Sequence, residues 1–149
     1  TGHMVFSTLH TNDALSSVVR LEDMGVERYM IANSVAGLVA QRLMRRVCPQ
    51  CAKTVPITEM ERDLLDADIT TVRRGTGCPS CNGTGYKGRK AIFEYLRISN
   101  PIRELINKRS PTLIIREKAR ELGMRTMRED GVRAILDGYT TVDEVLRYT

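Results

Sequence analysis

Residues 48–51 read CPQC and residues 78–89 read CPSCNGTGYKGR, and all four cysteines of the 149-residue chain lie in these two C-P-x-C pairs. Two residues between cysteines let a tight turn aim both sulfurs at one point. Two such turns supply the four thiolates of a tetrahedral Zn²⁺ site, with Zn–S distances of about 2.3 Å. The spacing therefore marks Cys48, Cys51, Cys78 and Cys81 as metal ligands. The interval 52–77 is longer than the usual zinc-ribbon gap of about 15–20 residues, but added loop length costs little closure entropy. It reads as a loop projecting between the two turns. A disulfide framework is the weaker reading, and two others stay open, a pair of redox C-x-x-C motifs and thiols that hold no metal. The redox reading is disfavoured because neither pair opens a helix after a strand within a βαβ pattern.

Composition narrows the setting. The chain is 42% apolar and 28% charged, which describes a globular protein rather than a disordered one. At this length a single domain buries roughly 70% of the surface of its unfolded chain, enough for a core without disulfides. No apolar run approaches the ~20 residues that cross a bilayer, and the first residues lack the pattern of a signal peptide. The expected compartment is the cytosol, where thiols stay reduced.

Working outward from the cysteines, residues 4–9, MVFSTL, form a short apolar run that predicts a buried strand. Thr11, Asn12 and Asp13 offer caps for a helix carrying Leu15, Val18, Val19 and Leu21, with Gly25 as its stop. A second helix is predicted from Glu27 to about Met44, its end marked by Arg42, Arg45 and Arg46. Beyond the second cysteine pair, Gly83, Gly85 and Gly88 mark an irregular loop, and KAIFEYLRI, 90–98, a strand. Asn100–Pro101 and Ser110–Pro111 each read as a cap followed by proline at the first helical position. Thr126 with Glu129 and Thr141 with Glu144 read as capping boxes, with Gly123 and Gly138 as helix stops. The result is a small helical bundle appended to a mixed fragment.

The net charge is +5, with basic clusters at Arg42, Arg45 and Arg46, at Arg73 and Arg74, and at Lys87, Arg89 and Lys90. A zinc ribbon with basic flanks fits phosphate contacts, and a basic face can also approach acidic lipid headgroups. With aromatics at 5% and no tryptophan, there is no stacking platform, which argues against nucleic acid. Catalytic machinery is sparse. No G-x-x-x-x-G-K-[ST] loop occurs, and GTGYKGRK does not replace it because Lys90 lacks a preceding glycine. The two histidines, His3 and His10, flank the first predicted strand with no base partner in sequence. Taken alone, Gly2, His3 and Met4 read equally well as a cloning remnant.

The opening TGHMVFSTLHTNDA resembles the histidine box of the secretion traffic ATPases, the hexameric motors of type II secretion and type IV pilus assembly. GLVAQRLMRRVCPQC, CPSCNGTGYKGRKAIFEYL and MRTMREDGVRAILDGYTTVDEVLRYT resemble later segments of that family, in the family's order. The resemblance covers essentially the whole chain and argues that TGHM is native. It implies an α+β fragment: residues 1–47 as the C-terminal part of a RecA-like ATPase core, 48–89 as an inserted tetracysteine zinc module, and 90–149 as a final strand with a C-terminal helical subdomain. In the family the phosphate-binding loop, the aspartate box and the second nucleotide motif precede the histidine box, so ATP and Mg²⁺ belong to a longer protein. This stretch alone is expected to be inactive.

By the same carry-over His10 and His3 are candidates for sensing the nucleotide's γ-phosphate, with Thr11 and Asn12 beside them. Retraction motors of the superfamily generally lack the tetracysteine module, so its presence implies an assembly or secretion motor. The implied partners are identical subunits, as a hexamer, and an inner-membrane platform protein, with the motor cytoplasmic and peripheral to the inner membrane. A different class stays open beside this one, a zinc-ribbon binding module. CPSCNGTG has the C-x-x-C-x-G-x-G form of DnaJ-type chaperones, and a basic adaptor for nucleic acid is the other version. The chaperone form normally recurs four times, whereas CPQC is followed by AKTV.

Overall fold

Several helices in this protein start at a side-chain cap or stop at a glycine. The computed structural model describes residues 2–65 and 68–149. Thr1 of the quoted opening, and Asp66 and Ala67 within the interval 52–77, lie outside the described residues. Helix α1 (Ser16–Asp23) begins where Asp13 Oδ1 accepts the Ser16 N–H at 2.8 Å. It ends at Gly25, which has φ +88°. The Gly25 N–H there donates to Glu22 O and the Val26 N–H to Leu21 O, a Schellman closure that needs the left-handed residue. Gly123 and Gly138 close α5 (Thr112–Glu121) and α6 (Met127–Leu136) in the same way. These four terminal signals are where the sequence places them.

The secondary structure mixes helices with two two-stranded sheets among the described residues, β1 (Gly37–Val47) beside β4 (Tyr86–Arg97) and β2 (Ala52–Pro56) beside β3 (Thr71–Gly75). This is the α+β class. The chain divides into two compact units, one made of residues up to Ala40 with Glu94–Met124, the other of Gln41–Phe93 with Arg125–Thr149. In the first, α1, α2 (Arg28–Ser34), α4 (Asn100–Asn107) and α5 pack around Leu15, Val18, Ile31, Ile102, Ile106 and Ile115, all nearly inaccessible. Arg103 Nε donates to the Ala32 carbonyl, which ties the end of α2 to α4.

In the second unit the interval between the cysteine pairs is folded rather than a bare loop. β2 and β3 pair antiparallel with Ala52 opposite Gly75 and Val55 opposite Val72, and α3 (Glu59–Leu65) joins them on the chain. α3 touches α7 (Val142–Tyr148), and α6 touches both β3 and α7. The expected projecting loop thus carries its own hairpin and rests on the C-terminal helices. Gly131 allows the α6–α7 contact, since a Cβ there would stand 2.7 Å from Val145 Cγ1.

Several expectations from the sequence are corrected. Residues 4–9 form no strand, and Met4, Val5 and Phe6 are exposed, Phe6 at 92%. A strand needs a neighbour's N–H and C=O groups, and none of the described strands pairs with this run. The helix expected over 27–44 ends at Ser34, and residues 37–47 are β1. Ala40 and Met44 are buried on this strand, and a spacing of four suits one helix turn and also two pleats of one strand face. The glycine loop is shorter than expected, because β4 already begins at Tyr86 and contains Gly88 at φ +81°. The caps Asn100 and Ser110 sit one position out of place: α4 starts at Asn100 itself, preceded by Ser99, and Pro111 precedes α5.

Of the two capping boxes, Thr126–Glu129 is reciprocal. At α7 only half forms. Thr141 Oγ1 accepts the Glu144 N–H, but the Glu144 carboxylate turns to Arg45, accepting its backbone N–H at 2.8 Å and its guanidinium at 2.6 and 2.9 Å. Three bonds from a residue 99 positions away, two of them from a guanidinium so that both partners are charged, outcompete the single bond to the local amide.

Two tests follow from these contacts. Thr126→Ala should cost about 1 kcal/mol in urea unfolding. Thr141→Ala should cost more, roughly 2 kcal/mol, because the Tyr86 hydroxyl, 3.0 Å from Thr141 Oγ1, also loses its partner. Equal midpoints for both variants and wild type would contradict the assignment.

The second test concerns pH. Burial alone raises the Glu144 carboxyl, yet the bonds from Arg45 outweigh it and hold the group below its ordinary 4.5. Since the folded value is the lower one, its stabilisation is complete above about pH 4.5 and is lost as pH falls through the folded value. Glu144→Gln should be less stable near neutrality by roughly 1–3 kcal/mol and show a shallower loss on acidification. Parallel profiles for both proteins, measured as urea midpoints from neutrality to below pH 4, would count against this.

Candidate metal centre

Each cysteine pair is a turn held by backbone bonds. Following β1, the Cys48 N–H donates to Gly85 O at 2.9 Å, and the Cys51 N–H folds back to Cys48 O. In the other pair, Pro79–Cys81 forms a single 3₁₀ turn, with the Cys81 and Gly83 N–H groups both donating to Cys78 O. The two turns are bound together: Gly85 accepts from Cys48 through its carbonyl and donates its N–H to Cys81 Sγ at 3.3 Å. Backbones come too close here for side chains. A Cβ on Gly75 would lie 2.0 Å from Gly85 O, and Gly85 itself has φ +76°. Of these glycines the sequence singled out Gly85, through the C-x-x-C-x-G-x-G form. Gly75 carries no signal of its own, because its need for glycine arises from the approach of Gly85 across the second cysteine turn.

The four sulfurs converge. Cys48 Sγ lies 3.8 Å from Cys78 Sγ, Cys51 Sγ 3.9 Å from Cys81 Sγ, and Cys78 Sγ 3.7 Å from Cys81 Sγ. All ligand atoms lie within 4.8 Å of one another. Four thiolates about 2.3 Å from one ion at tetrahedral angles stand about 3.8 Å apart. The thiols are free rather than paired, well beyond a disulfide's ~2.05 Å. Among the described residues this is the only group of histidine, cysteine or acidic side chains with metal-holding geometry. The donor set fits a metal that accepts four sulfur ligands.

The thiols differ in acidity. Burial pushes the Cys51 thiol up to about 11. Burial also acts to raise Cys81, but the N–H groups of Cys78 and Gly85 donate to its sulfur and bring it down to about 6. Backbone N–H groups aimed at sulfur favour the thiolate, the form that binds metal. Around the turns, Arg45 stacks over the Tyr86 ring at 4.1 Å. Arg46 and Lys90 lie over the Tyr139 ring at 5.5 and 4.8 Å. These contacts clamp the strands that flank the turns, and composition alone did not reveal them.

The histidines lie in the other unit. His10 is exposed and helps line a shallow surface cavity of about 440 Å³ with Thr11, Asn12, Ser16, Arg20 and Asp23. Hydroxyls, an amide, a guanidinium and a carboxylate share this wall, so it is polar and of mixed charge. His3 is exposed and does not line that cavity.

Comparison with known proteins places the chain in a family. The family model described as type II/IV secretion system protein matches residues 1–147. The chain is 48% identical over 149 residues to the type II secretion system protein HxcR of Pseudomonas aeruginosa, covering all of this chain and 29% of that protein. It is 46% identical over 154 aligned residues to the type IV pilus assembly ATPase PilB of Thermus thermophilus, again over all of this chain and 17% of the relative. It therefore spans less than a third of the length of these relatives. In fold it is similar to the pilus retraction motor PilT solved with bound ADP, with a TM-score of 0.65 at 20% identity over all of this chain and 33% of that one. With residues 1–147 matched by the family and close relatives aligned from end to end, the chain belongs to the type II/IV secretion system protein family.

Proposed function

We propose that this chain is the C-terminal region of a hexameric motor ATPase that turns ATP hydrolysis into assembly of a pseudopilus or pilus. The observation that carries this reading is the identity to secretion and pilus-assembly proteins along the full chain. In this reading residues 1–47 finish a RecA-like core, residues 48–89 are a zinc module, and residues 90–149 hold the last strand and the C-terminal helices. Cys48, Cys51, Cys78 and Cys81 hold Zn²⁺, which supplies four strong bonds where a short excursion has little core of its own. Its role there is structural, since all four positions are taken by protein sulfur. The folded interval 52–77 then offers a rigid surface to an inner-membrane platform protein. No helix among the described residues is long and apolar enough to cross a membrane, and the proposed place of the motor is the cytoplasmic face.

His10 is proposed to sense the γ-phosphate, with His3 acting in the same direction. A neutral imidazole donates through one nitrogen and accepts through the other, so it can relay a phosphate's presence to a polar neighbour. ATP and Mg²⁺ are held by segments outside these 149 residues, which contain no phosphate-binding loop.

Two experiments test this reading. Freshly purified, reduced protein should contain about one equivalent of zinc. Cys78→Ser should lower that occupancy and speed hydrogen exchange in β2 and β3 while α4 and α5 stay protected, because metal binding is coupled to local folding. Less than half an equivalent in the wild type would overturn the zinc assignment.

In the full-length motor, His10→Ala should lower phosphate release roughly tenfold or more with a much smaller change in ATP affinity, since a sensor acts on the reacting state. The 149-residue chain alone should release no phosphate, because phosphoryl transfer needs the loop that positions the nucleotide. Normal turnover by His10→Ala, or genuine turnover by the isolated chain, would refute the respective half.

A further inference from the structure

A buried carboxylate in β4 stands where the strand pattern calls for an apolar residue. Ile92, Glu94 and Leu96 occupy alternate positions of one strand face and are 0%, 2% and 1% exposed. Burying a carboxylate among aliphatic side chains is costly unless hydrogen bonds compensate it. Glu94 Oε1 accepts the Ala14 N–H at 2.9 Å, across 80 residues of sequence. The acceptor therefore meets, within the core, a backbone group four residues after His10.

The stretch around that amide is anchored on both sides. Thr11 Oγ1 and Ser17 Oγ lie 2.9 Å apart, with Ser17 buried. The Asp13 carboxylate accepts from the Ser16 N–H and hydroxyl and pairs with Arg116 of α5 at 3.5 Å. Ala14 and Leu15, 1% and 2% exposed, then seal the start of α1. His10 itself is exposed, one residue before the Thr11 tether, so the loop that carries it is fixed at Thr11, Asp13 and Ala14. Of these ties only the one from Glu94 comes from the strand layer, and a backbone N–H to carboxylate bond is charge-assisted and short.

We propose that Glu94 is a positioning residue for the His10 loop, setting the conformation from which the imidazole meets its ligand. This rests on the reading of His10 as a nucleotide-state sensor and adds the element of β4 that holds it in place. Glu94 touches no nucleotide in this role. It acts through Ala14, and an amide oxygen of glutamine can accept the same bond without the charge.

The test is hydrogen exchange and NMR on the 149-residue chain, followed by kinetics on the full-length motor. Glu94→Ala should speed exchange of the Ala14 amide about tenfold and shift the His10 ring resonances, with the Ile115 amide in α5 unchanged. Glu94→Gln should stay near wild type. If Glu94→Ala does not fold, Glu94→Asp, one methylene too short to keep the bond, is read in the same way. Unchanged Ala14 exchange in a folded variant, or equal acceleration at Ile115, would overturn the proposal. In the motor, Glu94→Ala should lower kcat with KM for ATP unchanged, and Glu94→Gln should restore kcat. Normal kcat in Glu94→Ala while His10→Ala is impaired would also overturn it. If the loop responds but both variants turn over normally, Glu94 keeps its role in fixing the loop and the sensor reading of His10 falls.

Discussion

The second unit depends on one constraint, that two turns separated by 26 residues of sequence bring four sulfurs to within 3.7–3.9 Å along the measured edges. Everything nearby serves that approach. Gly85 bonds to both turns through one peptide unit on each side. The Gly75–Gly85 contact leaves no room for a Cβ, and the interval between the turns folds back as an antiparallel hairpin so that its ends return together. Like-charged thiolates at this distance repel, so a bound cation is the natural partner of the arrangement.

Two glutamates do the long-range fastening, one in each unit. Glu144 leaves its own capping box to bind the Arg45 backbone and guanidinium, which fixes α7 to the strand that leads into Cys48. Glu94 leaves an apolar row to bind the Ala14 amide. In both cases a carboxylate that is nearly inaccessible is compensated by backbone N–H groups far away in sequence. Such bonds add modest net stability and strong specificity, because the unpaired alternative is expensive. They are the joints by which a four-cysteine module and a histidine loop are each held to the strands β1 and β4.

Within a chain of the type II/IV secretion system protein family, the two features fall in different parts of the fold. The cysteine cluster lies in one unit and His10 in the other, and nothing in the chemistry of either requires the other's atoms. The tetrathiol set is closed in the manner of a structural site. The polar wall around His10 is open to solvent and of mixed charge.

The sequence by itself determined whatever depends on neighbours along the chain. The turn in each C-P-x-C pair, the α1 cap at Asp13, the stops at Gly25, Gly123 and Gly138, and the Thr126 capping box are all local geometry. The family, too, was legible in the order of its motifs. Tertiary structure decided the rest. Whether 37–47 is helix or strand depended on β4 offering a ladder, since a four-residue apolar spacing satisfies both periods. Residues 4–9 had strand character but no described partner, and Met4, Val5 and Phe6 stay exposed. The partners of Glu94 and Glu144 were hidden for the same reason: a side chain's best hydrogen bond is set by which groups burial brings within 3 Å, and sequence spacing does not record that.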